Sequence, residues 1–361
     1  MLTVRFDDQV FTLQSRGGIS RYFVELLNAF DDLGYGIKAT TDAHWTSNRH
    51  LLDSGRGRQL PAFTGERKRI MQFANRMHNP WPRATDVVHH TFYDRRYLKQ
   101  ATFRVVTIYD MIPELFPELF PSMNPHADKL EFVRAADLIL CISEATRRDL
   151  VRVYGSVDAP IVVTPLGVNS GFGPRAEAAL ELPEPYVLYV GDRSSYKDFW
   201  VLAEAFAAAD LPTEVTLLTV GGGPLRSDES ERLQGLGLLG RTVHIQLDDR
   251  GLATAYARAL VFVFPSRYEG FGLPTLEAMA AGCPTILSSE SSHPEVGGDA
   301  ARYFQAGDVV GLAQSLGEIT ASEALRAELG RLGIARAATF QWGETARRTA
   351  EAYREHMPNS R

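Results

Sequence analysis

Two carboxylates, Glu269 and Glu277, lie eight residues apart in PSRYEGFGLPTLEAMAAG (265–282). The preceding LVFVF (260–264) reads as a buried strand ending at Pro265. Gly270 and Gly272 make RYEGFG a loop, and LPTLEAMAAG suits a helix, with Pro274 in its first turn and Gly282 as its C-terminal cap. A helix start behind a Gly-rich turn offers unpaired N–H groups and the positive end of the dipole. The backbone of Phe271, Gly272 and Leu273 can therefore meet a sugar hydroxyl or a phosphate. A carboxylate in that setting is an acceptor, able to take two vicinal hydroxyls. Glu269 is expected to face a transferred group and Glu277 a ribose. The plainer alternative leaves Glu269 solvated and Glu277 as a dipole complement.

Arg193 and Lys197 are two cations four residues apart after a strand that ends at Val190. A planar fork and a mobile point charge together suit a diphosphate, and they stabilise the negative charge that grows on a leaving phosphate. Gly17 and Gly18 precede a helical run, and Gly222 and Gly223 follow a strand. Each pair permits close approach to a ligand or forms an ordinary turn. In VVHHTFYD, His89 and His90 are adjacent on a strand, so their side chains point to opposite faces and at most one meets a ligand. No Asp-x-Asp occurs; Asp7–Asp8, Asp31–Asp32 and Asp248–Asp249 are adjacent pairs. A metal on a diphosphate wants spaced carboxylates, so no metal and no cofactor are expected. Asp248 and Asp249 read as caps for a helix over 250–258.

These residues need a scaffold. Candidate strands are 2–6, 36–40, 86–89, 104–108, 138–142 and 161–164, alternating with helical patterns at 19–33, 66–78, 124–135 and 143–153. A Gly/Pro-rich stretch, 167–185, reads as a linker. A second series has strands at 186–190, 215–220, 242–247, 260–264 and 284–288. Its helices fall near 198–209, 229–236, 250–258, 273–281 and 308–319, with a helical tail over 321–338 and 342–356. Such alternation argues α/β, with two doubly wound parallel sheets. The expected domains are 1–170, 171–340 and a C-terminal helix, 341–361, returning to the first. Ligands of such sheets bind at the carboxyl ends of strands, so a cleft between the halves is the expected site.

The block RYEGFGLPTLEAMAAGCPTI resembles the E-x7-E signature of retaining glycosyltransferase family 4, which has the GT-B fold of two Rossmann-like domains. LQSRGGISRYFVELLNAF, YVLYVGDRSSYKDFWVLAEAF, GGGPL, HIQLDDRGLATAYARA and FQWGETARRTAEAY are similar to further family segments, in the same order. The resemblance implies transfer of a hexose from a nucleotide-diphosphate sugar to a glycan or lipid-linked acceptor. Gly17 and Gly18 would lie over the diphosphate. FDDQVFTLQSRGGISRYF and YDMIPELFPELFP are most like bacterial mannosyltransferases of surface-polysaccharide synthesis, which favours GDP-mannose and leaves rhamnose, glucose or another hexose open. Retention is then expected by same-face attack, the leaving phosphate taking the acceptor's proton. The family often carries a histidine in a T-x-H-D context. Here Tyr109 stands in its place and Asp110 is kept, so Tyr109, His89, His90 and Asp110 are the candidates for its role. A sugar-nucleotide epimerase and a catalytically inactive sugar-binding protein are the alternatives. A pyridoxal-dependent phosphorylase is disfavoured, because no lysine follows Lys197.

The 361 residues carry a formal net charge of −6, which argues against nucleic acid as the main partner. The balance is uneven: residues 44–104 hold twelve Lys/Arg against four Asp/Glu. GERKRIMQFANRM (65–77) could dock on an anionic lipid surface, although its apolar residues Ile70, Met71, Phe73 and Met77 read slightly better as core. The start lacks a signal peptide, no apolar run reaches membrane-spanning length, and the two cysteines suit a reducing compartment. A cytoplasmic protein, with contact at the inner membrane face, is expected.

Overall fold

The computed structural model describes residues 1–59, 68–79, 85–98, 102–120, 124, 126–174, 180–193 and 195–358. By its contacts the chain divides into two units, Met1–Gly167 with Trp342–Arg361, and Val168–Gln341.

The first unit carries six parallel strands: β1 (Leu2–Phe6), β2 (Ile37–Thr41), β3 (Val87–His90), β4 (Arg104–Ile108), β5 (Leu138–Cys141) and β6 (Ile161–Val163). Their order is β2-β1-β3-β4-β5-β6. The chain therefore reverses its direction of growth between β1 and β3, so their carboxyl ends form a topological switch point. β3 and β5 are buried at every residue, as expected for a parallel sheet covered on both faces. Helix Trp342–His356 belongs to this unit. Its Thr345 Oγ1 donates to the Pro165 carbonyl at 2.6 Å, and its fully buried Tyr353 lies against Phe30.

The second unit has β7 (Tyr186–Val190), β8 (Thr216–Val220), β9 (Thr242–Ile245), β10 (Val261–Phe264), β11 (Thr285–Ser288) and β12 (Arg302–Phe304). The order β12-β11-β10-β7-β8-β9 is the dinucleotide-fold arrangement, with its switch point between β7 and β10. One face is packed by Phe199, Leu202 and Phe206 from helix Phe199–Ala208. The other is packed by Tyr256 and Met279, from helices Asp249–Arg258 and Leu273–Ala280. Burying each such large apolar side chain contributes about 1.5–3 kcal/mol.

Differences from the sequence reading have local causes. Helix 124–135 begins only at Lys129, because Asn124 Oδ1 accepts the His126 N–H at 2.7 Å and forms a turn first. The linker stretch is partly packed: Phe172 is buried against Tyr256 in the second unit, while 175–179 lie outside the described residues. β12 and helices Gln9–Leu13 and His293–Gly297 are too short to show periodicity. Among the described residues no helix is long and apolar enough to cross a membrane.

Candidate active site

At the β7/β10 switch point the chain builds the strand, loop and helix that its sequence suggests. Gly272 precedes helix Leu273–Ala280 with φ +93°, a left-handed conformation that favours glycine, and Pro274 sits in the first turn. The loop brings Glu269 to Lys197, which follows β7: Nζ lies 2.6 Å from Oε1, and the side chains keep 15% and 12% exposure. Burial works against the Lys197 ammonium, but the Glu269 carboxylate outweighs it and the lysine pKa moves up. The same ammonium stands 5.2 Å from the Tyr196 ring centre and 5.3 Å from that of Phe264. Glu277, on the second turn of the helix, is buried.

Arg193 occupies a different environment from the one its spacing suggests. Its guanidinium is buried, donating through Nε and Nη2 to both Glu229 oxygens at 3.2 and 3.1 Å. It also reaches the carbonyls of Gly221, Gly222, Gly223 and Pro224 at 2.9–3.5 Å. Arg193 thus grips the glycine loop after β8 from below. Burial pushes the Glu229 carboxyl up, but bonds from Arg193 and the Arg226 N–H outweigh it and hold the group low. Gly222 has φ +70°, and a Cβ there would lie 2.8 Å from Asp192 Cα. Gly223 is also left-handed, at φ +73°. Asp248 caps helix Asp249–Arg258, accepting the Gly251 N–H at 2.9 Å, while Asp249 is the first helical residue.

At the β1/β3 switch point the two histidines separate as the strand alternation requires. His89 is core: its ring nitrogens lie 2.7 Å from Tyr353 Oη and 2.7 Å from Thr107 Oγ1. Burial lowers its pKa to about 3, so it is neutral. His90 Nδ1 lies 2.8 Å from Asp7 Oδ2, and its buried Nε2 has no partner. Burial pushes Asp7 up, but His90, Thr91 and Gln9 outweigh it and hold the carboxyl low. Next to it, burial pushes Asp8 up to about 6 although Asn75 and Tyr97 donate to it. Tyr109 is engaged, its hydroxyl donating to the Thr91 carbonyl at 3.1 Å. Of His89, His90 and Tyr109, His90 alone keeps a ring atom without a partner. Asp110 Oδ1 accepts the Ile112 N–H at 3.0 Å and lies 3.7 Å from His126 Nδ1 and 3.9 Å from Lys129 Nζ. Lys129 is fully buried and donates to the Asp110 carbonyl and Glu114, each at 2.8 Å. Gly17 and Gly18 start helix Gly18–Leu33 as its cap and first residue.

Asp7, Glu229 and His126 are the site neighbours that the sequence reading missed. Asp7 had a signal, its place at the end of β1, but its pairing with β3 depends on strand order. Glu229 and His126 gave no local signal.

The family models match both units: one for glycosyl transferases group 1 over residues 175–336, and one for Glycosyltransferase Family 4 over residues 16–172. The chain belongs to glycosyltransferase family 4. It is 32% identical over 238 residues to O-antigen chain mannosyltransferase B of Escherichia coli, covering 62% of each chain. It is 30% identical over 243 residues to the D-inositol 3-phosphate glycosyltransferase of Xylanimonas cellulosilytica, over 62% of this chain and 58% of that one. The chain thus matches about six-tenths of the length of these curated relatives. The solved sucrose-phosphate synthase of Thermosynechococcus elongatus superposes with a TM-score of 0.75 at 23% identity, over 98% of this chain and 99% of that one. Anabaena HepE, solved with UDP and glucose, gives 0.71 at 16% identity over 98% and 100%. These likenesses establish the GT-B fold.

Proposed function

We propose that this family 4 protein is a retaining hexosyltransferase. It would use a nucleotide-diphosphate sugar, with GDP-mannose favoured, and a glycan or lipid-linked acceptor, without a metal. The observation that carries the reading is the Lys197–Glu269 pair at the head of helix Leu273–Ala280, at the β7/β10 switch point. The mannosyltransferase relative supports the choice of sugar.

In this reading Glu269 and the N–H groups of Phe271, Gly272 and Leu273 hold the hexose, and Glu277 holds the ribose. Lys197 exchanges its carboxylate partner for the diphosphate. Arg193 sets the Gly221–Pro224 loop, so that Gly222 and Gly223 present backbone to the nucleotide. As the bond from the anomeric carbon to phosphate oxygen breaks, the acceptor oxygen attacks on the same face. The acceptor's proton passes to the departing phosphate, and a nucleoside diphosphate leaves. Lys197 acts by holding charge that grows only as the bond breaks. Asp7 holds the His90 imidazole with Nε2 turned toward a substrate hydroxyl. Asp110 orients the adjoining turn, and Gly17 and Gly18 allow close backbone approach.

A thermal-shift screen tests this. A ligand at 100 times its Kd stabilises the native state by about 2.7 kcal/mol. GDP-mannose should raise Tm above GDP alone, and EDTA should leave transfer intact. No shift with any nucleotide sugar would refute the reading.

A membrane-docking role rests on helix Lys68–His78; residues 65–67 lie outside the described residues. Met71 is buried, but Phe73 and Met77 are 65% and 63% exposed, beside the exposed Arg69 and Arg76. That apolar and cationic stripe suits an anionic bilayer at the inner membrane face. Flotation with anionic vesicles that is unchanged in Phe73→Ser/Met77→Ser would exclude it.

A further inference from the structure

Beneath the Glu269 loop, a second turn of the chain approaches with its hydroxyls. Ser291 Oγ donates to the Glu269 carbonyl at 2.6 Å and accepts the Glu269 N–H at 3.3 Å. Ser292 Oγ, fully buried, lies 2.9 Å from the same carbonyl and 3.0 Å from that of Phe271. Ser291 therefore fixes both peptide groups flanking Glu269 Cα. Ser292 has one hydroxyl hydrogen; with the Glu269 carbonyl already served by Ser291, it goes to the Phe271 carbonyl and fixes the peptide before Gly272. In a trans peptide the N–H points opposite to the C=O. With the Phe271 carbonyl turned down onto Ser292, the Gly272 N–H is turned up, away from the serines.

The turn is itself anchored. His293, which follows the two serines, is buried and faces Ser288 at the end of β11. Ser288 Oγ has one hydrogen and directs it to the Ser266 carbonyl, so it must accept from His293 Nδ1, 2.8 Å away. Burial lowers the His293 pKa to about 4, so the ring is neutral with its proton on Nδ1. The serines thus stand on the ends of β10 and β11.

Ser291 has φ +56°, and among the described residues the only other non-glycine with positive φ is Asp198, at +48°. Such conformations cost about 1–3 kcal/mol and persist where surrounding structure holds them. Both lie at the same place. Asp198 follows Lys197 and pairs with Arg267 at 3.3 Å, and Ser291 grips Glu269. Backbone strain is therefore concentrated on either side of the Lys197–Glu269 pair.

We propose that Ser291 and Ser292 are positioning residues that aim the Glu269 carboxylate and the Gly272 N–H at the transferred sugar. The role of these two groups toward a sugar rests on the reading under Proposed function; the clamp itself does not. The test variant is Ser291→Gly/Ser292→Ala, because glycine accepts the left-handed backbone while removing the hydroxyl. Amide hydrogen exchange of the unliganded protein should show 268–273 exchanging at least about tenfold faster, with the β8 amides unchanged. Titrations with GDP-mannose and GDP should show sugar-nucleotide affinity or kcat/KM falling about tenfold or more while GDP affinity stays within about twofold. Ser292→Thr with Ser291 intact, which keeps both hydroxyls, should hold both readouts near the wild-type values. Unchanged exchange overturns the clamp. Faster exchange with unchanged preference for the sugar nucleotide overturns the positioning role. If the wild-type protein does not distinguish GDP-mannose from GDP, the sugar reading falls with the positioning role, and the exchange measurement still decides the clamp.

Discussion

Replacing Glu269 with glutamine isolates the ion pair at the centre of the site. Glutamine keeps the shape of the side chain and leaves Lys197, 15% exposed, without its counter-charge. Removing one partner of a buried pair costs about 3–5 kcal/mol. The residual exposure and the two rings near Nζ, at about 0.5–1 kcal/mol each, reduce the expected loss to about 2–3 kcal/mol. Urea denaturation at pH 7 reads this as a lower midpoint with an unchanged m-value. The pH dependence adds a second check. In the wild type the folded lysine pKa is raised, so the pair's contribution is fully present below the unfolded value and is lost as pH rises through the folded one. In Glu269→Gln, burial is the largest influence left and depresses the folded pKa. The unfolded chain then binds more protons, and stability rises with pH toward the lysine range. The gap between variant and wild type should therefore narrow from pH 7 to pH 10. Adding Lys197→Met removes the stranded charge and should recover most of the loss. A loss below about 0.5 kcal/mol at pH 7, a gap constant to pH 10, or simple additivity in the double variant would each refute this account.

Three further outcomes are expected. Glu277→Ala should weaken GDP binding by about tenfold or more by calorimetry, because the acceptor proposed for the ribose hydroxyls is lost. Gly222→Ala, with its Cβ 2.8 Å from Asp192 Cα and φ +70°, should lower stability by about 1–3 kcal/mol and raise the KM for donor. Asp8, raised to about 6 in the fold, favours its protonated form there. Its contribution is fully present below the unfolded value of 3.8 and is lost as pH rises through about 6. Asp8→Asn should therefore flatten the fall in stability between pH 4 and pH 6, seen in urea midpoints across that range.

The strand–loop–helix block over 260–282 was legible because every local rule agrees there: a buried apolar strand, two glycines, a proline in the first turn and a glycine after the last. Asp248 was legible as a cap for the same reason, since capping needs only residues three apart. Contacts over long sequence separations were not. Asp7 and His90 are 83 residues apart and meet because β1 pairs with β3. Glu229 meets Arg193 across 36 residues. The serine turn at 291–293 carried no motif, because its partners are two carbonyls 21 to 23 residues earlier in the chain. On helix Lys68–His78 the apolar residues were read together as core, but the structure splits them, with Met71 inward and Phe73 and Met77 outward. One amphipathic period could not say how wide the buried stripe is.

The contrast between the two cations after β7 bears on which of them would meet a leaving phosphate in the proposed reaction. Sequence spacing made Arg193 and Lys197 equivalent, but their surroundings do not. Arg193 is 1% exposed in its side chain, faces a carboxylate of opposite charge, and is bonded to four loop carbonyls. To reach a diphosphate it would have to break these contacts and leave the fully buried Glu229 to Arg226, which meets it through its N–H at 2.9 Å and its exposed guanidinium at 3.2 Å. Lys197 is bound to one carboxylate by a single short bond, on a flexible stem, with aromatic faces beside it. Exchanging that carboxylate for a phosphate oxygen leaves the ammonium neutralised. In the proposed reaction it would also free Glu269 to accept hydroxyls of the sugar. On the proposed reading, a fixed arginine shapes the loop and a lysine that changes partners stabilises the developing charge. Lys197→Met should therefore lower kcat by about 10²–10³-fold, as loss of a preorganised charge does. Lys197→Arg should restore little of it, because a planar fork does not fit where a point charge sits.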